Sequence, residues 1–210
     1  MSPVTSAQAP DAAQIRIPVV ISTPHVHLTA ALIEELFCDR YRLHVASPLS
    51  QPAQFAAEEV VQLIGPAGRL ANVRVIGPPR SENQVELSES AARALGINAP
   101  ARESGDLAGT PGITIEGPRT RARLESGVIR ALRHIHMGPE DAGRLHLKDH
   151  DRISVAAAAG ARAPLFEQVV VRVAPGFQLE LHLDIDESVA AGLCAGDSVV
   201  VSGAGGPRSR

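Results

Sequence analysis

A chain of 210 residues with 44% hydrophobic and 20% charged content and a net charge of −3 can bury one large or two small cores, which excludes fibrous, mini-protein and wholly disordered classes. Aromatics are only 2%, with no Trp and the single Tyr41, so the core must be aliphatic and a stacking platform for single-stranded nucleic acid is not expected. No apolar run approaches the roughly 20 residues that span a bilayer, so a membrane is not an expected partner, and the scarcity of aromatics sets nucleic acid aside as well.

Residues 1–14 lack a basic segment and an apolar stretch, and read as a disordered leader rather than a secretory signal. Ile15 to Ser22 is a β-branched run that reads as a strand ending at Pro24. After His25-Val-His27-Leu28, Thr29 is placed to cap a short helix through Leu36 or Phe37, with Leu32, Ile33 and Leu36 at helical spacing. From Leu43 to Ile115, short apolar runs (Val60 to Ile64, Val73 to Ile76, Ile113 to Ile115) alternate with Gly-Pro pairs at 65, 77 and 117. Turn signals about every ten residues predict antiparallel barrels or sandwiches. Three segments, from Ser88, Pro139 and Asp186, each open with a capping residue or Pro and make about two helical turns. Residues 203–210 have nothing to bury and read as a frayed tail. Cys38 and Cys194 have no CxxC partner, which predicts neither a disulfide framework nor a thiolate zinc site and fits a reducing cytoplasm.

Four of the eight histidines form two His-x-His pairs, His25/His27 and His134/His136, each with a strand before and a helix after. In an extended segment residues i and i+2 share a face with β-carbons about 6–7 Å apart, so two imidazoles reach one cation. One such pair is weak evidence; two in matched contexts predict metal ligation and two related halves. The alternation Leu179-Glu180-Leu181-His182-Leu183-Asp184-Ile185-Asp186 places Glu180, His182, Asp184 and Asp186 on one face. For the acids a solvated face, with Asp186 capping the next helix, is the competing reading. His44, His146 and His150 have no such company and read as surface or loop residues.

Imidazole and carboxylate donors without thiolate favour zinc, with cobalt, nickel or iron geometrically allowed. Five histidines exceed one catalytic zinc's usual three protein ligands, which leaves two ions, or one ion and a general base. Arg80 directly follows Gly77-Pro78-Pro79, a stiff turn that presents a guanidinium suited to phosphate or carboxylate; read alone it is a surface arginine. Glu86, two residues before Ser88, reads alone as a capping or surface carboxylate.

Taken together the motifs resemble the PduL-type phosphate propanoyltransferases, the phosphotransacylases associated with bacterial microcompartments. The resemblance runs from about Ile15 to Val201 and rests on Ile17-Pro-Val-Val-Ile-Ser22, His25-Val-His-Leu28, Pro48-Leu-Ser-Gln-Pro52 with Gln54-Phe-Ala-Ala-Glu-Glu59, and Gly77-Pro-Pro-Arg80 with Gln84-Val-Glu-Leu-Ser88. It continues through Arg102-Glu-Ser-Gly-Asp106, Gly109-Thr-Pro-Gly-Ile113, Arg133-His-Ile-His-Met137 and His182-Leu-Asp-Ile-Asp-Glu187. Pro24 stands where the family commonly has a basic residue, and Ile185 and Ser188 replace the commoner Thr and Asn.

The resemblance implies a mainly β fold of two small β-barrels capped by short α-helices. One barrel would take residues 15–23 and 132–202, the other 24–131. It implies two zinc ions at the barrel junction, one held by His25, His27 and Glu86, the other by His134, His136 and His182, with Arg80 as the phosphate-binding catalytic residue. The implied reaction is reversible transfer of a short acyl group, propanoyl or acetyl, between coenzyme A and inorganic phosphate. Rival readings are a zinc-dependent acyl-CoA hydrolase and a non-catalytic, metal-stabilised scaffold protein. Acyl-CoA, CoA and phosphate are thus the expected small-molecule partners; a homo-oligomer and a microcompartment shell are further candidates, and the microcompartment lumen is a candidate location beside the cytoplasm. An interrupting Pro10 and few large apolar residues make the leader a poor encapsulation helix.

Overall fold

The structure, a computed structural model, describes residues 15–158 and 164–204. The expected leader lies outside the described residues, as does the tail beyond Ala204. Fifteen strands and four short helices are found among the described residues: β1 (Ile17–Ser22), β2 (His25–His27), α1 (Ala30–Leu36), β3 (Val45–Pro48), β4 (Phe55–Ile64), β5 (Arg69–Gly77), β6 (Gln84–Glu86), α2 (Glu89–Leu95), β7 (Ala101–Arg102), β8 (Ile113–Glu116), β9 (Arg121–Leu124), β10 (Val128–Ala131), β11 (His134–Met137), α3 (Pro139–Leu145), β12 (Arg152–Ala157), β13 (Leu165–Val173), β14 (Glu180–Asp184), α4 (Ile185–Ala191) and β15 (Ser198–Ala204). The final strand thus carries two residues, Gly203 and Ala204, that the sequence pattern assigns to a tail. Among the described residues no helix is long and apolar enough to cross a membrane.

Contacts divide the chain into two units. Among the described residues, the first comprises 15–20, 133–158, 164–183 and 191–204; the second comprises 21–132 and 184–190. In the first, β1-β14-β11-β13-β12-β15 close into a six-stranded barrel, which leaves no edge strand to be protected. Its interior is the aliphatic core that scarce aromatics demanded: Ile17, Val19, Ile135, Ile153, Val155, Val169, Val171, Leu181 and Val199 are all buried. In the second, a nine-stranded sheet runs β7-β10-β6-β2-β5-β4-β8-β9 with β3 on β4, an open half-barrel around a cluster that includes Val26, Leu28, Ile33, Leu63, Val75, Val85 and Ile115. The mainly β architecture with short capping helices is borne out.

Pairing is less uniform than the turn spacing implied. β2 lies parallel to β5, β10 parallel to β6 and β7, and β11 parallel to β13. A turn every ten residues marks where strands end and does not say which strands meet; here partners distant in sequence insert between neighbours. The Gly-Pro pairs do sit at strand ends. The Gly65 N–H donates to the Gly68 carbonyl between β4 and β5, and the Gly117 N–H to that of Thr120 between β8 and β9. Gly127 has φ +115°, and a β-carbon there would stand 2.6 Å from the Asn83 carbonyl oxygen. Only glycine fits, which lets the Gly127 carbonyl accept from the Val85 amide and seat β6.

The helices start and stop as their sequences dictate. The Thr29 hydroxyl accepts from the Leu32 amide and the Ser88 hydroxyl from the Ala91 amide, Pro139 opens α3, and Gly96 and His146 close α2 and α3 in left-handed conformations. The fourth helix corrects one expectation. Its cap is Asp184, whose carboxylate accepts from the Glu187 amide at 2.8 Å while the Glu187 carboxylate accepts from the Asp184 amide, a reciprocal capping pair. Helix α4 therefore begins at Ile185, and Asp186 leaves the strand face on which alternation had placed it. Its carboxylate accepts instead from the Ser90 amide at 2.7 Å and the Ser90 hydroxyl at 2.8 Å, in the first turn of α2.

Two candidate metal centres

Strand alternation delivers the first group of donors. His25 and His27 flank buried Val26 on β2, and the antiparallel register sets His25 opposite Glu86 and His27 opposite Gln84 on β6. The Glu86 carboxylate stands between the rings, Oε2 3.5 Å from His25 Nε2 and Oε1 3.6 Å from His27 Nε2. These separations are close to the edge, about 3.3–3.4 Å, of a tetrahedron with bonds of about 2.0–2.1 Å. The Thr23 carbonyl accepts from His25 Nδ1 at 2.8 Å, so Nδ1 carries the proton and Nε2 presents its lone pair to the carboxylate side. Burial pushes the His27 pKa down, reinforced by His25 and Arg80 and opposed by Glu86, so its ring is neutral and able to ligate.

Gln84 and Ser104 support this carboxylate. Gln84 Nε2 donates to Glu86 Oε1 at 2.5 Å and to Ser104 Oγ at 2.8 Å, and Ser104 Oγ donates to Glu86 Oε1 at 3.3 Å. The Gly105 amide donates to Gln84 Oε1, which fixes the amide's orientation. Arg80 joins the same network. It is half-buried, its backbone N–H donates to the Leu28 carbonyl, and its Nη1 donates to Ser104 Oγ at 3.3 Å.

The second group repeats the plan in the barrel. His134 and His136 flank buried Ile135 on β11, and the antiparallel register sets His134 opposite His182 and His136 opposite Glu180 on β14. The His134 and His182 rings stack with centroids 4.9 Å apart and 5° between planes, and His136 meets each of them edge-on at 4.7 Å. Phe177 packs on the His136 ring at 4.3 Å. Burial, then the neighbouring His134, His182 and Arg172, drive the His136 pKa down to about 2 against the pull of Glu180.

Each group offers three ligand atoms within 4.8 Å of one another, so each could hold a metal ion. The donors fit one. His136 Nδ1 and His182 Nε2 are buried without hydrogen-bond partners, an arrangement that costs about 1–3 kcal/mol per group unless something accepts the lone pair. Five imidazoles and one carboxylate are the donor chemistry of a borderline divalent cation.

The six expected donors thus assemble as two groups of three, with Arg80 beside the first. Gln84 and Ser104 escaped the sequence reading, although Gln84-x-Glu86 carries the same two-residue period as the His pairs. Among the remaining histidines, His146 caps α3 and His150 lies beside Asp149. His44 has more company than expected: its Nδ1 lies 2.7 Å from buried Glu59, whose carboxylate also accepts from the Tyr41 hydroxyl and the His44 amide. The ring itself remains 62% exposed.

A mainly β protein with two strand-borne His-x-His groups, each completed by a third donor on an antiparallel neighbour, is a class that fold and site define together. The sequence model of the phosphate propanoyltransferase family matches residues 18–194. The phosphate propanoyltransferase of Thermotoga maritima is 48% identical over 183 residues, covering 87% of this chain and 87% of that protein. That of Salmonella typhimurium is 48% identical over 176 residues, 84% of this chain and 83% of that protein. That of Shewanella putrefaciens is 44% identical over 186 residues, 89% and 88%. The chain belongs to the phosphate propanoyltransferase family, a family of acyltransferases, and the resemblance carried by its motifs is borne out.

Proposed function

We propose that this chain transfers a short acyl group, propanoyl in the first instance, reversibly between coenzyme A and inorganic phosphate, with one zinc ion held by His25, His27 and Glu86 and a second by His134, His136 and His182. The observation that carries the reading is the assembly of six side chains from four strands into two three-donor groups inside the region the family model matches. Bound zinc would supply Lewis acidity for the thioester carbonyl and a soft partner for the departing thiolate.

The chain's own residues do the rest. Arg80 projects a planar guanidinium from a turn whose backbone is tied to Leu28 and whose side chain is held by Ser104, so it meets phosphate with little loss of side-chain freedom. Phosphate held there is an oriented nucleophile, which replaces a bimolecular encounter with a local one. Gln84 and Ser104 hold Glu86 in place as a ligand, and the Thr23 carbonyl keeps His25 in the tautomer whose Nε2 is free. No covalent acyl-enzyme is required, since the phosphate oxygen attacks the carbonyl carbon directly and CoA leaves as its thiolate.

Release of CoA from propanoyl-CoA, followed with and without phosphate on protein of measured metal content, tests the reading. Phosphate-dependent release with about two zinc ions per chain supports it. Equal rates without phosphate make the protein a hydrolase, and phosphate-dependent release that survives complete removal of metal refutes zinc dependence.

A further inference from the structure

The two donor groups share one register, and that register singles out a residue with no role so far. On β2 and β6 the opposed pairs are His25–Glu86, Val26–Val85 and His27–Gln84; on β11 and β14 they are His134–His182, Ile135–Leu181 and His136–Glu180. Each His-bearing strand also has a parallel neighbour on its other side, β5 or β13. Glu180 therefore occupies in the second group the place that Gln84 occupies in the first. Where the first group has a carboxylate donor supported by an amide, the second has an imidazole donor accompanied by a carboxylate. Either way, one anionic side chain stands on the strand opposite the two histidines.

Charge makes this more than a pattern. The second group's three imidazoles bring no negative charge to a divalent cation, and Arg172 stands opposite His136 on β13. Glu180 is 9% exposed, and its Oε2 lies 3.5 Å from His182 Nε2. A carboxylate is strongly disfavoured at such burial unless positive charge balances it, and a dication among neutral imidazoles is disfavoured unless an anion is close. The same placement answers both needs. Glu180 is not in the convergent group, and the nitrogen it approaches is the one a bound ion would take, so it acts by its charge beside the ion and not through a hydrogen bond to His182.

Resting on the zinc reading above, we propose that Glu180 is the charge-compensating carboxylate of the second metal group, set beside the bound cation by its register on β14 and offsetting that cation's charge. Outer carboxylates of this kind are worth about 10- to 100-fold in metal affinity or activity.

The test uses the full chain loaded with Co(II), with chelator competition and visible absorption as readouts alongside turnover. Glu180→Gln copies the amide of the first group, and Glu180→Ala removes the side chain. In both, one of the two equivalents should bind at least about tenfold more weakly, its absorption bands should move, and kcat should fall while the KM for phosphate stays within about twofold of wild type. Unchanged affinity for both ions and an unchanged spectrum in either variant would overturn the proposal. So would a loss of melting temperature equally large with and without metal, which would make Glu180 a carboxylate of the fold. A wild-type chain that takes up no Co(II) or zinc would sink the zinc reading and this inference with it; two ions bound with wild-type affinity in Glu180→Gln would sink this inference alone.

Discussion

The two donor groups have the same strand plan and are held ready by different means. Around His25, His27 and Glu86 the support is a hydrogen-bonded web: Thr23 fixes one imidazole, Gln84 and Ser104 fix the carboxylate, and Gly105 fixes Gln84. Around His134, His136 and His182 it is packing and burial: stacked rings, Phe177 against His136, and two ring nitrogens with no hydrogen-bond partner. A web of polar groups keeps donors in place but competes for their lone pairs. A packed aromatic cluster leaves the lone pairs free and, at His136, forces neutrality through desolvation, at the cost of unsatisfied nitrogens. One β-strand geometry thus supports a centre whose anionic donor is held by polar partners and a centre of imidazole donors held by shape, with the Glu180 carboxylate beside it.

The largest effects should come from removing a donor outright. His27→Ala and His182→Ala should each lose one ion per chain and lower turnover by more than about 100-fold, beyond what a supporting residue costs. If each variant instead kept both ions and near-normal turnover, the groups would not be metal centres. A finer contrast separates them. Gln84→Ala should weaken only the first group's ion, by about tenfold, because the Gln84 amide bonds Glu86 and Ser104 of that group. Chelator competition on that variant beside Glu180→Gln would show the two affinities moving independently; if both moved together in either variant, the division into a polar-held and a packing-held centre would fail.

Arg80→Lys should be smaller and more selective. An ammonium keeps the charge but loses the fork, so the KM for phosphate should rise by about tenfold, equivalent to about 1.4 kcal/mol, while that for propanoyl-CoA stays put. Normal phosphate kinetics would remove Arg80 from the mechanism.

The contrast between the groups also marks where sequence reading stops. Both His-x-His pairs were legible because period-two spacing needs only local geometry, and the capped helices and Gly-Pro turns were legible for the same reason. Glu86 as a donor came from family resemblance, since a lone carboxylate before a capping serine has no local mark of a ligand. Gln84, Ser104 and the pairing of Glu180 with His136 depend on cross-strand register, which joins residues across tens of positions and is not encoded in a window. His44 was read as isolated because its partner, Glu59, lies on a neighbouring strand. The closed barrel and the parallel pairs were obscured in the same way: short apolar runs of similar composition say little about which run lies beside which.

The smallest expected effect concerns Asp186, whose misread role is itself a long-range matter. Its carboxylate accepts the Ser90 amide and hydroxyl across 96 positions of sequence, at the first turn of the helix that follows Glu86. Burial alone would raise its pKa, but the Ser90 amide and hydroxyl, the Ser88 hydroxyl and Arg93 outweigh this and hold it below the usual 3.8. A depressed carboxylate pKa adds stability above the unfolded value and forfeits it as pH falls through the folded one. Asp186→Ala should therefore cost about 1 kcal/mol at neutral pH, the usual worth of a capping acceptor, read as a melting temperature lower by about 2–4 °C. The gap to wild type should narrow below about pH 4 as the wild-type carboxyl protonates. Because the strand bearing Glu86 is only three residues long and α2 starts three residues after Glu86, the loosened helix end should also raise the amide exchange rate at Ser90. A gap that stayed constant down to pH 2 would mean that Asp186 holds α2 by packing and not by its charge.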